Sequence, residues 1–373
     1  MSWPGPLRGR FARYAAGVGA GAAVLVLTLP APRASTPETV RRPATATAPA
    51  TTAAPTTTAA PTTTAPPSPV VLAFGGDVHF EGGLRTKLGS DPAHVFDPVA
   101  PVLAGADVAM VNLETAITDR GAAEAKQYRF RASPRAFDAL ASAGVDVATM
   151  ANNHGRDYGA VGLADTLAAI PNAPLKVVGI GADAAAAFAP ARFDVRGRRV
   201  AIVAATDVLD GALERSWTAT DAQPGLASAK DPTRLLAAVR AARADSDLVV
   251  VYLHWGVEGA TCPTARQRQL ARALVDAGAD VVVGSHAHRQ QGAGRAGDAF
   301  VAYGLGNFAF YNEAGPSGIT GVLVLTVTGR HVDGYSWIPA HIRGGVPVVT
   351  SPAAQRPEID AWGRLRRCSD LTP

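Results

Sequence analysis

From Val70 to about Ile342 the chain alternates two hydrophobic patterns. Short runs of Val, Ile, Leu and Ala predict strands, and segments with apolar residues every three or four positions predict amphipathic helices. Strands are expected at Val70–Phe74, Asp107–Val111, Asp146–Met150, Lys176–Ile180, Val200–Ala204, Leu248–Leu253, Asp280–Val283, Phe300–Tyr303 and Gly321–Val327. Several are almost continuously apolar, as strands covered on both faces should be. The helices have readable ends. Ser133-Pro134 opens one that carries Phe137 and Leu140 and stops at Gly144. Asp231-Pro232 opens another through Leu235, Leu236 and Val239, and Thr264-Ala265-Arg266-Gln267 has the capping-box pattern ahead of Leu270 and Leu274. Strand and helix in alternation point to one α/β domain over residues 70–342. The polar stretch after it, 343–373, is expected to be a docked tail or an extra helix around Trp362.

The first 69 residues follow a different pattern. Arg8, Arg10 and Arg13 precede an uncharged Ala/Gly/Val/Leu segment, Tyr14–Leu29, the layout of an export signal or N-terminal membrane anchor over residues 1–34. Cleavage and retention both stay open. Pro30-Ala31-Pro32-Arg33-Ala34 is a poor cleavage site, and the apolar segment is short of the about 20 residues a span wants. Residues 35–69 are almost only Ala, Thr and Pro, too poor in apolar surface to offset their ordering entropy, and should form a disordered stalk. The chain is therefore expected to be exported. It would be held at the extracellular face of the membrane by the anchor, or secreted if the signal is cleaved.

Charge adds one exclusion. Residues 1–69 hold six Arg and one Glu, a net of +5 against +4 for the whole chain, which leaves −1 for the rest. A balanced folded part has no footprint for nucleic acid. The two cysteines, Cys262 and Cys368, lack metal-ligand spacing, and either one disulfide or two free thiols fits an exported chain.

The chemistry gathers where the expected strands end. One runs into Gly76-Asp77-Val78-His79, the next into Asn112-Leu113-Glu114, and the third into Asn152-Asn153-His154-Gly155-Arg156-Asp157. Two later strands run into His254-Trp255-Gly256-Val257-Glu258 and Gly284-Ser285-His286-Ala287-His288. Five of the eight histidines thus lie where sheet meets loop. Singly, each has a plain explanation: Asn and Gly favour turns, and an isolated His after a strand is commonly a hydrogen-bonded loop residue. Together they supply mixed nitrogen and oxygen ligands, which suit Mn, Fe or Zn better than Ca or Mg. A carboxylate such as Glu114 can bridge two such cations.

The order D-x-H, N-x-E, N-H, H-W-G, G-x-H-x-H resembles the calcineurin-like metallophosphoesterases. Within them it is most similar to the bacterial capsule-synthesis CapA family of poly-γ-glutamate biosynthesis proteins. The family's marks stand here as Gly76-Asp77, Asn112-Leu113-Glu114, Asn152 through Gly159, His254-Trp255-Gly256 with Glu258, and Tyr303-Gly304-Leu305-Gly306-Asn307-Phe308. Departures are present too. His79 stands where many CapA-like proteins have Met, and Gly284 to His288 lacks a third imidazole and a proline. Asn112-Leu113-Glu114 replaces the G-D-x-x-D element of the wider superfamily.

The resemblance implies a four-layer αββα sandwich, two packed β-sheets flanked by helices. It also implies two divalent metal ions. Asp77, His79, Glu114 and His288 would hold one, and Glu114, Asn153, His254 and His286 the other. His154 would be the catalytic proton donor, Arg156 a contact for an anionic substrate, and Asn307 a brace behind the ligands. Trp255 is expected to pack. The function implied is a metal-dependent hydrolase of a phosphoester or an anionic envelope polymer, with membrane partners of a capsule-synthesis complex. An amidase cleaving γ-glutamyl bonds would use the same ligands. A reading from another class is a non-catalytic, metal-containing component that handles the polymer during capsule export or attachment.

Overall fold

The computed structural model describes residues 68–373, so the expected export segment and nearly all of the stalk lie outside the described residues. Each of the nine expected strands is present, within a few residues of its expected ends. Five carry the site: β1 (Val70–Val78), β2 (Val108–Leu113), β3 (Val147–Thr149), β4 (Leu248–Trp255) and β5 (Val281–His286).

β1, β2, β3 and Lys176–Val178 run parallel in one sheet. Beyond β1 that sheet continues antiparallel through Ile319–Thr328, His331–Arg343 and Val346–Val349. In the second sheet Arg198–Thr206, β4, β5 and Ala299–Ala302 are parallel, with antiparallel strands Ala191–Val195 and Ala293–Ala296 at its edges.

Period-two alternation along the strands decides how the sheets stack. Leu72 and Phe74 of β1, Met110 of β2, Val250 and Tyr252 of β4, and Val283 of β5 meet in one apolar layer between the sheets. The alternate residues face outward. Ala73, Ala109 and Val111 lie in the same cluster as Phe137 and Leu140 of the helix Arg135–Ser142. Val249, Val251 and Leu253 cluster with Leu235, Val239, Leu270 and Leu274 of the helices Thr233–Asp245 and Ala265–Asp276. The result is the expected helix–sheet–sheet–helix sandwich. Burying a side chain of this size stabilises by about 1.5–3 kcal/mol, so the inter-sheet layer is a main source of cohesion. Within it, the Tyr252 hydroxyl donates 2.9 Å to the Gly75 carbonyl of the opposite sheet.

The residues after 342 are part of the same body. Val346–Val349 extends the first sheet, and the helix Pro352–Arg364 lays Trp362 flat against Trp337, ring centroids 5.0 Å apart. Cys262 and Cys368 form a disulfide with Cα atoms 5.6 Å apart, closing a separation of 106 residues. Loop closure of this length contributes on the order of 4 kcal/mol in the chain-entropy model. The strand His331–Arg343 was not legible in the pattern, because Gly334 and Pro339 interrupt its alternation and mimic turns.

Candidate metal centre

The parallel strands of both sheets present their C-terminal ends to one place, where backbone polar groups run out of ladder partners and side chains can converge. Glycine makes the approach close enough. A Cβ on Gly76 would sit 1.9 Å from the Gly306 carbonyl, so any side chain there would separate β1 from the Gly304–Asn307 loop. That proximity lets Asp77 N–H donate to Gly306 O at 3.0 Å. A Cβ on Gly284 would meet Trp255 Nε1 at 2.0 Å, so β5 can carry its histidines past a fully buried indole only as glycine. Trp255 packs, as expected, and donates to Tyr303 O at 2.7 Å. The two histidines past Gly284 are held in left-handed backbone, His286 at φ 93° and His288 at φ 49°. Such conformations cost about 1–3 kcal/mol each in a residue with a Cβ and persist where a site over-determines them.

Of the groups of ligand atoms that result, each within 4.8 Å, two share Glu114: Asp77, Glu114 and His288, and Glu114, His254 and His286. Glu114 belongs to both. Asn153 joins the second group, its Oδ1 lying 2.7 Å from His254 Nε2, while His286 Nδ1 lies 3.1 Å from the same nitrogen. Asn307 has Oδ1 2.8 Å from His288 Nδ1, and its Nδ2 donates 3.0 Å to Ser317 O. Glu258 forms a third group with His286 and His288 at the solvent side.

Glu114 tests whether the residues fit a cation. Its carboxyl is wholly buried, yet neither oxygen has a hydrogen-bond partner. An ionised carboxylate left so costs several kcal/mol. Burial, and then the neighbouring Asp77, push its pKa well above the ordinary value. The imidazoles err the opposite way. Burial, reinforced by His286, holds His254 well below its usual range, and burial with His288 lowers His286 to about 3. Neutral imidazoles and an orphaned carboxylate are the chemistry a divalent cation satisfies, since its ligands must be deprotonated. Burial also opposes protonation of His288, but Glu114 and Asp77 prevail and raise it to about 9. Burial alone would raise Asp77, and its bond to His288 and the nearby His254 bring it below the carboxylate range instead.

Two expected site residues stand apart from these groups. His79 joins neither group. Its ring stacks on Phe130 at 4.6 Å, edges against Phe310 at 4.0 Å, and has its nitrogens turned to the backbone N–H groups of Glu81 and Tyr311. A neutral imidazole can accept through only one nitrogen, so one of those N–H contacts is not a hydrogen bond. Burial lowers His79 to about 3, consistent with an aromatic spacer. Arg156 turns to the Ser216 carbonyl and does not line the cleft over the site.

That cleft, 230 Å³, is lined by His154, His288, Phe130, Glu258, Tyr311 and Arg289 among others. His154 stands at its base. Nδ1 lies 2.5 Å from Asp157 Oδ2, Nε2 lies 3.8 Å from Glu114 Oε1, and the ring stacks on Phe130 at 4.2 Å. Burial lowers its pKa against the opposing pull of Asp157. Asp157 is itself fixed by Lys126 Nζ at 2.7 Å and by Phe130 N–H at 2.7 Å. Asn152 aligns the turn by donating to Asn112 Oδ1 and Leu113 O, both at 2.9 Å, and Asn112 in turn donates 2.8 Å to Asp77. The sequence pattern gives no site role to Asn112, Asn152, Asp157, Lys126 or Phe130. The spacing of Asp157 three residues after His154 was a usable signal. Lys126 and Phe130 lie in a stretch with no periodicity and offered none.

The family described as bacterial capsule synthesis protein PGA_cap matches residues 71–312, which hold every member of the three ligand groups. The chain belongs to that family. PGA_cap proteins have the metallophosphoesterase-like fold, in agreement with the sandwich and its strand-end site. The capsule biosynthesis protein CapA of Bacillus anthracis is 36% identical over 233 residues, 60% of this chain and 55% of that protein. The PGA biosynthesis protein CapA of Bacillus subtilis (strain 168) is 33% identical over 219 residues, 58% and 56% respectively. The chain thus spans about half the length of the curated relatives it matches.

Proposed function

We propose that this PGA_cap protein is an exported, dinuclear metal-dependent hydrolase of capsule synthesis, acting on a phosphoester or an anionic envelope polymer. The observation that carries the reading is the buried Glu114 carboxyl, without a hydrogen bond on either oxygen and shared by two ligand groups. Asp77, Glu114 and His288 would hold one cation, and Glu114, Asn153, His254 and His286 the other. Mn, Fe or Zn suits these donors. Two such cations supply Lewis acidity toward the scissile group and a water nucleophile near neutral pH.

The chain's own residues do the rest. With Nδ1 committed to Asp157, the His154 nitrogen free to move a proton is Nε2, on the Glu114 side at the base of the cleft. Protonated, it delivers that proton to the leaving oxygen, and Asp157 stabilises the imidazolium while it exists. Lys126 and the Phe130 N–H keep Asp157 aimed, so the ring does not rotate between turnovers. Phe130, between His79 and His154, holds both rings and excludes water from one side of the cleft. The export half of the proposal is supported by the layout of residues 1–34 and by the Cys262–Cys368 disulfide, a bond that persists in oxidising compartments.

The test is metal analysis of the purified chain, with phosphodiester, phosphomonoester and polyglutamate hydrolysis measured on the same sample. Two ions per chain and metal-dependent turnover of at least one substrate are expected. Stoichiometric metal with no hydrolysis of any of the three would instead favour the polymer-handling reading.

A further inference from the structure

Arg289 lines the cleft over the metal centre and also a second cavity of 250 Å³ behind it. The turn Gly315–Gly318 contributes to both, Ser317 to the cleft and Pro316 to the second cavity. Arg289 bonds to Ser317 Oγ and, at 3.4 Å, to His288 O through Nη1. Among the described residues no carboxylate pairs with it, whereas Arg85, Arg120, Arg192, Arg199, Arg234 and Arg266 each have one. A guanidinium presents five donors in a planar fork suited to a carboxylate, and most of this fork is uncommitted.

The second cavity is chiefly apolar. Pro316, Ile319, Trp337, Ala361, Trp362 and Leu365 contribute to its wall. Ile319 is 39% exposed there, a large apolar side chain left uncovered. The acid in the wall, Glu358, is already engaged by His341 Nε2 at 3.0 Å and by Thr350 Oγ1 at 3.1 Å. The groove is also built to keep its shape. Trp362 stacks on Trp337, and the Cys262–Cys368 bridge joins the segment of Thr261 on one side to that of Leu365 on the other.

We propose that Arg289 and this groove form a second subsite, which binds the units of a carboxylate-bearing aliphatic chain next to the bond held over the metal centre. Arg289 takes the carboxylate at the junction, and the groove takes the methylene segment that follows. The proposal rests on the reading of the cleft as a hydrolytic site and adds the length and charge of what enters it. A compact phosphomonoester would use the cleft alone.

Binding of γ-linked glutamate oligomers of two and eight units to the metal-loaded full chain, by titration calorimetry, tests this. The longer oligomer should bind at least about tenfold more tightly, the scale of one charge-assisted hydrogen-bond pair with added apolar contact. Arg289→Gln and Ile319→Asp should each shrink that ratio to within about twofold. Ile319 is at the surface, so its variant keeps the test valid if Arg289→Gln folds poorly. Equal binding of both lengths to the unaltered chain overturns the subsite, as does a ratio that survives both replacements. Tighter, Arg289-dependent binding of a glycerol-phosphate oligomer overturns the carboxylate assignment. Glu114→Gln separates this inference from the hydrolase reading. It should abolish hydrolysis of a small phosphodiester and keep the length dependence. Hydrolysis that survives would sink the metal chemistry and leave the subsite standing.

Discussion

The two sheets contribute unlike halves to the centre. The first sheet brings oxygen: Asp77 from β1, Glu114 just past β2 and Asn153 past β3. The second brings nitrogen: His254 from β4, and His286 and His288 from the end of β5. The oxygen half keeps its backbone out of the left-handed region, with a register irregularity between Phe74 and Asp77, while the β5 histidines rest on left-handed backbone. The difference has a physical basis. A carboxylate or amide on a short side chain reaches a shared cation directly from a strand end. Two imidazoles two residues apart must be splayed to point at one place, and that takes unusual φ angles. Cations at the seam would therefore hold the sheets to each other as well as serve chemistry, since both groups that contain Glu114 draw on both sheets.

Replacing Glu114 by Ala should have the largest effect, because both groups depend on it. Loss of both ions and a fall in activity beyond the about 10- to 100-fold typical of partners outside the ligand shell are expected. His254→Ala should empty only the group that contains it. Retention of both ions by Glu114→Ala, measured by metal analysis, would break the division into halves.

His154→Ala should keep both ions and lower turnover by about 10²- to 10⁴-fold. Substrates with a nitrophenolate leaving group, which needs little protonation, should recover part of that loss. They should recover none of it in His254→Ala. Metal loss as complete as in His254→Ala would remove His154 from the acid role.

A smaller effect should appear in the stability of chelated protein, and it weighs nitrogen against oxygen. Burial lowers His79 and His286 to about 3 and lowers His154 and His254 as well, whereas an unfolded imidazole titrates near 6.5. Below 6.5 the unfolded chain therefore takes up protons that the folded one refuses. Glu114, raised by burial, and His288, raised by its carboxylate neighbours, act in the other direction, but they are two groups of the site against four. Stability should rise with pH from about 4.5 to 6.5 and be lost on acidification, by about 1.4 kcal/mol per pH unit for each net proton. Urea midpoints that stay level across that window would show the histidines to be freely titrating.

The smallest effect belongs to His79→Phe. An aromatic spacer should be replaceable by another ring with metal content intact and activity within a few-fold. A lost ion would return His79 to the ligand set.

Much of this molecule is determined by sequence alone. Near-continuous runs such as Leu248–Leu253, short and rich in Val, read as strands buried on both faces, and Thr264 with Gln267 specifies a helix start that the structure closes with reciprocal bonds of 3.1 and 2.9 Å. The placing of Asp77, Glu114, Asn153, His254, His286 and His288 at strand ends was equally legible, since a change from apolar run to polar cluster marks where a sheet stops. Tertiary structure decided what such markers cannot encode. Whether His79 meets a cation or an aromatic wall depends on Phe130 and Phe310, more than 50 and more than 200 positions away along the chain. Arg156 and Arg289 look alike as lone cations near a motif, and only the packing around Ser216 and Ser317 turns one away from the cleft and the other toward it. Lys126 reaches Asp157 because an aperiodic loop folds over the turn after β3. Local pattern records which residues share an element, through the periods of helix and strand. It holds no record of which side chains from distant elements share a volume, because that is set by how the two sheets and their loops fill space together.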